Sequence, residues 1–101
     1  MTYSQSLIAL ADPTRRRLFD RLRRRPYAVG ELARALGVTQ PAVSQHLAVL
    51  SRARLVRATR DGRRRLYRPD PAGIAALREY VDRMWDEVLA AYAKSFEGET
   101  A

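Results

Sequence analysis

Residues 38–50 read VTQPAVSQHLAVL, and on a helical period they divide cleanly. Val43, Leu47 and Leu50 recur at i, i+4 and i+7, a buried stripe, while Gln40, Pro41, Ser44, Gln45 and Ala48 lie on or near the opposite side. A glutamine amide can bond two edge groups of adenine at once. A serine hydroxyl serves a base or a phosphate, and alanine or proline can approach a thymine methyl. Small side chains on that side let such a helix sink into a major groove. A merely solvated helix more often carries Lys and Glu there, for pairing at i,i+4. The chemistry offered by Gln40, Ser44 and Gln45 is therefore base reading, weighed against an idle polar face.

A second group is cationic. The stretch TRDGRRR, residues 59–65, concentrates Arg60, Arg63, Arg64 and Arg65 around a single acid. Like charges so close repel one another unless a polyanion neutralises them, whereas a purely soluble loop gains little from the crowding. Arg65 is the member whose stem can instead lie along the body. Arg15, Arg16 and Arg17 open a helix, where cations oppose the helix dipole. Either a phosphate compensates them, or Arg16 and Arg17 pair with Asp12, Asp20 or the C-terminal segment. Thr39, His46, Arg60, Arg63, Arg64, Arg16 and Arg17 are accordingly the candidate contacts to a DNA backbone, with helix amides near Thr39 and Gln40 adding to them.

Other chemistries find little support. His46 is the single histidine and the chain has no cysteine, so neither a zinc site nor a thiol sensor can be assembled from them. A half-buried structural histidine is the preferred reading of His46, ahead of phosphate contact. Asp82 and Asp86 share a helix face with Glu79 and Glu87 nearby, but pairing with Arg78 and Arg83 accounts for them better than a divalent ion. There is no Gly-rich phosphate loop, no HExxH and no nucleophile with an orienting base. An enzyme is not expected, and neither is a metal or any cofactor.

These groups must be positioned by one domain, since the chain has 101 residues and is 47% hydrophobic. Its net charge is +8, unevenly spread: residues 1–71 hold 16 arginines against five acids, and residues 72–101 hold three cations against six. A basic body with a mildly acidic tail separates a polyanion-binding surface from a segment with another task. No apolar run reaches membrane-span length and no export signal is visible, so a cytoplasmic protein without a membrane partner is expected.

Periodicity and punctuation give the elements. Residues 4–11 form a short apolar helix. Asp12 caps the next, which opens on Pro13 and runs to about residue 25, where Pro26 stops it. Ala28 and Val29 make a brief extended step, and residues 30–36 form a short helix closed by Gly37. Thr39 caps the helix described first. Two extended runs follow about Asp61-Gly62, a hairpin signal; a two-residue turn there sets Arg60 opposite Arg63 and Val56 opposite Tyr67. One long helical pattern then covers residues 70–96. The fold class expected is mainly α with a small β-hairpin wing, in the order α-α-α-α-β-β-α. It forms one domain, 1–101, with the helix-turn-helix at about 30–50, the wing at about 55–68 and a dimerisation helix at about 72–96.

The last helix is apolar over a wider arc than one small body needs. Leu77, Val81, Met84 and Val88 follow a 4-3-4 spacing, broadened by Trp85, Leu89 and Tyr92. A homodimer through these residues is expected, with Leu7, and with Ile8 and Leu10, contributing from the first helix.

Together, LADPTRRRLFDRL (residues 10–22), GELARALGVTQPAVSQHLAVLSRARLV (30–56) and DGRRRLYRP (61–69) resemble the ArsR/SmtB family of bacterial winged-helix repressors. The resemblance spans residues 4–92. It implies a homodimer joined by first and last helices, binding inverted repeats near promoters. Carried over by position, Gln40, Ser44 and Gln45 look like base contacts, His46 like the histidine that seats the reading helix, and Arg63 and Arg64 like wing contacts. Metal-sensing members place cysteines in the helix matching residues 30–36, or Asp and His on the last helix, and this chain has neither set complete. It is similar to the metal-independent branch, released by a small organic effector or a partner protein, or simply autoregulating. The expectation is a sequence-specific transcriptional repressor that binds double-stranded DNA. A winged-helix protein-interaction module, and a ligand-responsive activator or nucleoid-type DNA binder, are the alternatives.

Overall fold

The computed structural model describes residues 3–100, with side chains described for residues 4–96. Helices α1 (Tyr3–Ala11) and α2 (Pro13–Leu22) are separated by Asp12. Its carboxylate accepts from the N–H groups of Thr14 and Arg15 at 2.9 and 3.0 Å, and Pro13 occupies the first turn, where a missing donor costs nothing. Helix α2 stops at Leu22, short of residue 25. The Arg24 N–H already turns back to the Arg21 carbonyl at 3.0 Å, and this tightened last turn leads into Pro26.

Helix α3 (Val29–Leu36) begins one position before the expected start, so the extended step falls on Tyr27 and Ala28 instead of Ala28 and Val29. Two interactions move it. The Glu31 carboxylate accepts the Ala28 N–H at 2.9 Å, half of a capping box, and Tyr27 forms an isolated antiparallel bridge with Tyr67. Gly37 closes α3 at φ 69°, a left-handed conformation suited to glycine. Thr39 then caps α4 (Gln40–Arg52) by accepting from the Ala42 N–H at 3.2 Å.

The apolar stripe of α4 does what its spacing requires: Val43, Leu47 and Leu50 are buried with Leu18, Leu22, Leu32, Leu55 and Val56 in one core. Each buried leucine removed from water contributes roughly 1.5–3 kcal/mol.

Strands β1 (Val56–Asp61) and β2 (Arg64–Pro69) form the antiparallel wing. Its register corrects the expected one. Asp61 pairs with Arg64, Arg60 with Arg65, Ala58 with Tyr67 and Val56 with Pro69, so the turn residues are Gly62 and Arg63. Gly62 has φ 63° and Arg63 is not in the positive-φ region. Glycine thus takes the first central position, as type II′ turns favour, and Asp61 is spared the left-handed conformation that an Asp61-Gly62 type I′ turn would impose. The shift of one turn position preserves side-chain faces, and Val56 still packs inward.

At the end of α4 three elements are fastened together. The Leu55 N–H returns to the Leu50 carbonyl at 3.0 Å while Arg54 adopts φ 59°, a Schellman-type stop with arginine where glycine is usual. The Arg54 carbonyl accepts the N–H of Gly73 at 2.8 Å, and the Leu55 carbonyl accepts that of Asp70 at 2.9 Å. These bonds seat the first turn of α5 (Pro71–Thr100) on the joint. Beyond it α5 first packs along α1 and then leaves the body, giving principal extents of 67 × 24 × 22 Å, and residues 81–96 are all exposed. Among the described residues, no helix is long and apolar enough to cross a membrane.

Gly73 is buried, and a Cβ there would stand 2.6 Å from the Ala53 carbonyl oxygen and closer still to that of Arg54. Helix propensity alone would make Gly73→Ala stabilising by about 1 kcal/mol. The clash with backbone reverses the sign, and a net loss of about 1–3 kcal/mol is expected in urea denaturation. A variant as stable as the parent would mean that the joint is not tightly closed.

Candidate nucleic-acid interface

Helix α4 presents Gln40, Pro41, Ser44, Gln45 and Ala48 to solvent, and the exposed stripe continues through Ser51 and Arg52. The Ser44 and Gln45 side chains make no hydrogen bond among the described residues, leaving their donors and acceptors available. Gln40 leans toward α3: a Cβ added at Gly30 would lie 3.4 Å from its Nε2. The supply of free amides at this helix end is smaller than expected, because Pro41 has no N–H and that of Ala42 is bound by Thr39. Thr39 retains its hydroxyl proton for an outside acceptor. His46 is half-buried, and the nearby Asp12 carboxyl is held below its usual value chiefly by the Arg15 N–H, with partial burial opposing and the Thr14 N–H assisting.

The wing arginines divide by face. Arg64 reaches back to Glu31 at the start of α3, Nη2 to Oε1 at 2.8 Å, and Arg25 stands 3.6 Å from the other carboxylate oxygen. Arg60 and Arg65 share the other face as cross-strand partners, Arg63 and Arg64 join them around a cleft at the tip, and the Arg65 guanidinium lies 5.5 Å from the centre of the Tyr67 ring. Glu31 therefore clamps the wing to α3, a role that sequence spacing did not reveal because 33 positions separate the partners. Its pKa is held below the usual value, chiefly by the Ala28 N–H, with partial burial opposing and the Arg64 and Arg25 charges assisting.

Arg15 resolves the apparent conflict with the dipole of α2: its Nε donates to the Ala9 carbonyl at 2.8 Å, at the C-terminus of α1, where a cation is favoured. Asp12 approaches Arg15 at 3.8 Å, and Asp20 pairs with Arg23 at 3.0 Å. Arg16 and Arg17 are exposed and make no ion pair among the described residues. Arg16 borders an apolar cleft formed by Leu10, Phe19, Leu55, Ile74 and Leu77, and Arg17 faces Leu36 across a separate groove. They are thus not grouped with the wing.

The remaining sequence candidates form an apolar surface. Leu7, Val81, Met84, Trp85, Val88 and Tyr92 are each 42–64% exposed, Ile8 reaches 66%, and Leu77 is half-buried near the root of α5. Asp82 meets Arg78 at 3.7 Å, the pairing expected of it. Among the described residues, no three His, Cys, Asp or Glu side chains are grouped to hold a metal.

Comparison with known proteins bears on this arrangement of reading helix and wing. The family model for bacterial regulatory proteins of the arsR family matches residues 12–58. The HTH-type transcriptional regulator Rv2034 of Mycobacterium tuberculosis is 55% identical over 91 residues, 90% of this chain and 85% of that protein. The chain belongs to the ArsR family. It is a winged helix-turn-helix member lacking the cysteine and histidine ligand sets, in a family of DNA-binding transcriptional regulators rather than enzymes. An ArsR-like transcriptional regulator from Rhodococcus superimposes with a TM-score of 0.78 at 29% identity, over 91% of this chain and 90% of that one. A homodimeric winged helix-turn-helix DNA-binding domain from Mycobacterium bovis does so with a TM-score of 0.62 at 28% identity, over 90% and 78%.

The Glu31 clamp carries a pH signature. A carboxylate with a depressed folded pKa stabilises fully above its unfolded value, here near 4.5, and loses that contribution as pH falls below it through the lower folded value. The melting temperature of the parent should fall steeply between about pH 5 and pH 3. Glu31→Gln should start lower at pH 7 and decline less over that interval. Parallel curves would dissociate the clamp from stability.

Proposed function

We propose that this ArsR-family chain is a homodimeric, sequence-specific transcriptional repressor acting in the cytoplasm on an inverted-repeat operator. One observation carries the reading: Ser44 and Gln45 stand solvent-exposed and unengaged on a helix whose other side is locked into the core, with unpaired wing arginines alongside. Such a face has hydrogen-bonding capacity without an internal use. Gln40, Ser44 and Gln45 read base edges; Thr39, His46, Arg60 and Arg63 hold phosphates. Arg64 serves mainly to set the wing through Glu31, and Arg16 and Arg17 are secondary contacts at best reached by flanking DNA. No metal or other cofactor takes part; release by a small organic effector or a partner protein is compatible with this scheme.

The second copy is supported by the apolar surface of α5 and α1. A lone helix with such a face needs an apolar partner, and a two-fold pairing of identical surfaces supplies one. The homodimeric form of the Mycobacterium bovis domain agrees with that arrangement. Two reading helices so joined would enter major grooves about 34–36 Å apart, which is what couples dimerisation to an inverted repeat. Repression then follows from occupancy of the promoter.

Footprinting on the promoter of its own gene, followed by affinity measurements, tests the scheme. Gln45→Ala should reduce preference for the protected site by about 1–3 kcal/mol while leaving random-duplex binding nearly unchanged. Arg60→Gln with Arg63→Gln should weaken both. Equal loss on both duplexes for Gln45→Ala would remove it from base reading. A chain that sediments as a monomer at micromolar concentration would remove the operator geometry.

A further inference from the structure

Two clefts flank the hairpin and meet at Ala58 and Arg65. The one toward the tip is lined by Arg60, Arg63, Arg64 and Arg65. The one at the root, about 580 Å³, takes Arg52 from the end of α4, Arg54 from the joint, Arg57 from β1 and Arg65 from β2. Of these seven arginines, Arg64 alone has a carboxylate partner among the described residues, Glu31, and the other six have none. The acid bordering the root cleft, Asp70, uses an oxygen to accept the Ala72 N–H at 3.0 Å. Arg60 and Arg65 are direct cross-strand neighbours, an arrangement of like charges that is destabilising unless something neutralises it.

Arg54 adds an independent observation. It occupies φ 59°, where a residue with a Cβ costs about 1–2 kcal/mol and glycine would not. Its backbone function, accepting the Gly73 N–H, needs no guanidinium. The strained conformation therefore carries a side chain whose visible use is to charge the cleft.

We propose that this arginine-lined trough, from Arg63 and Arg60 at the wing tip through Arg65 to Arg57, Arg54 and Arg52 at its root, seats the phosphates of one DNA strand flanking the bases read by α4. The proposal rests on the DNA-binding reading above and adds Arg52, Arg54, Arg57 and Arg65 as phosphate ligands. The trough is elongated and open, which suits a linear polyanion better than a compact one. It also begins where the exposed stripe of α4 ends, at Ser51 and Arg52, so a strand leaving the reading helix has a charged path beside the wing.

The test uses the full chain and a duplex carrying the protected site with long flanks. Arg54→Gly removes a guanidinium while relieving the backbone, so its melting temperature should equal or exceed that of the parent while its DNA affinity falls about fivefold to tenfold at 0.1 M salt. The triple variant Arg52→Gln, Arg54→Gly, Arg57→Gln should reduce the slope of log affinity against log salt by about two to three, equally on specific and random duplexes. An Arg54→Gly protein that binds DNA as tightly as the parent, or a triple variant with an unchanged slope, overturns the proposal. So does inorganic triphosphate binding to the DNA-free parent and lost in the triple variant while DNA affinity is retained, which assigns the trough to a free anion. A parent chain that protects no DNA fails earlier, and defeats the underlying DNA-binding reading together with the trough.

Discussion

The approach of the Gly73 amide to the Arg54 carbonyl joins three elements with different tasks. Helix α4 ends two residues before Arg54, the wing begins two residues after it, and α5 takes its direction from the same turn. Only a residue without a Cβ allows α5 to come so close. Because the adjoining Leu55 and Val56 are buried in the common core, the reading helix and wing cannot reorient independently. Rotation of α5 is transmitted to α4 through this backbone joint and through the packing of α1 on both helices, rather than through a flexible linker. That coupling is the physical means by which the proposed dimer seam along α5 would set the separation of two reading helices.

Charge is organised around the same frame. Carboxylates are spent on local geometry: Asp12 caps α2, Glu31 holds the start of α3 and the wing, and Asp70 caps the start of α5. Few remain to neutralise the body, and its excess cations lie along α2 as well as along the wing and the end of α4. The acidic residues of α5 lie on the projecting segment, away from that surface. Folding and polyanion attraction therefore use different members of one charge set, with Glu31 and Arg64 at the boundary.

Much of this architecture is legible in the chain because its signals are local. Asp12-Pro13, Gly37, Thr39-Gln40-Pro41 and the stripe of Val43, Leu47 and Leu50 each define an element through neighbours a few positions away. The errors arise where distant residues decide. The start of α3 depends on the bridge between Tyr27 and Tyr67, and the use of Arg64 depends on Glu31; neither spacing is periodic. The hairpin turn was displaced by one residue because Asp-Gly suits two turn types, and only backbone conformation tells which position glycine takes. The polar face of α4 could be read directly. The cationic lining of the wing root could not, since Arg52, Arg54 and Arg57 become neighbours of Arg65 only when the hairpin folds beside the end of α4.

Strand β1 has a further property that follows from its position. Its partner β2 is flanked on the far side by the Tyr27 bridge, whereas the outer margin of β1 has no strand beside it among the described residues. An unpaired margin of this kind can template extension by another polypeptide, the first step toward open-ended stacking. Arg57 and Arg60, spaced along that margin, impose mutual repulsion on any copy that approaches in register. The same side chains that crowd the wing with charge thus oppose edge-to-edge pairing of two wings.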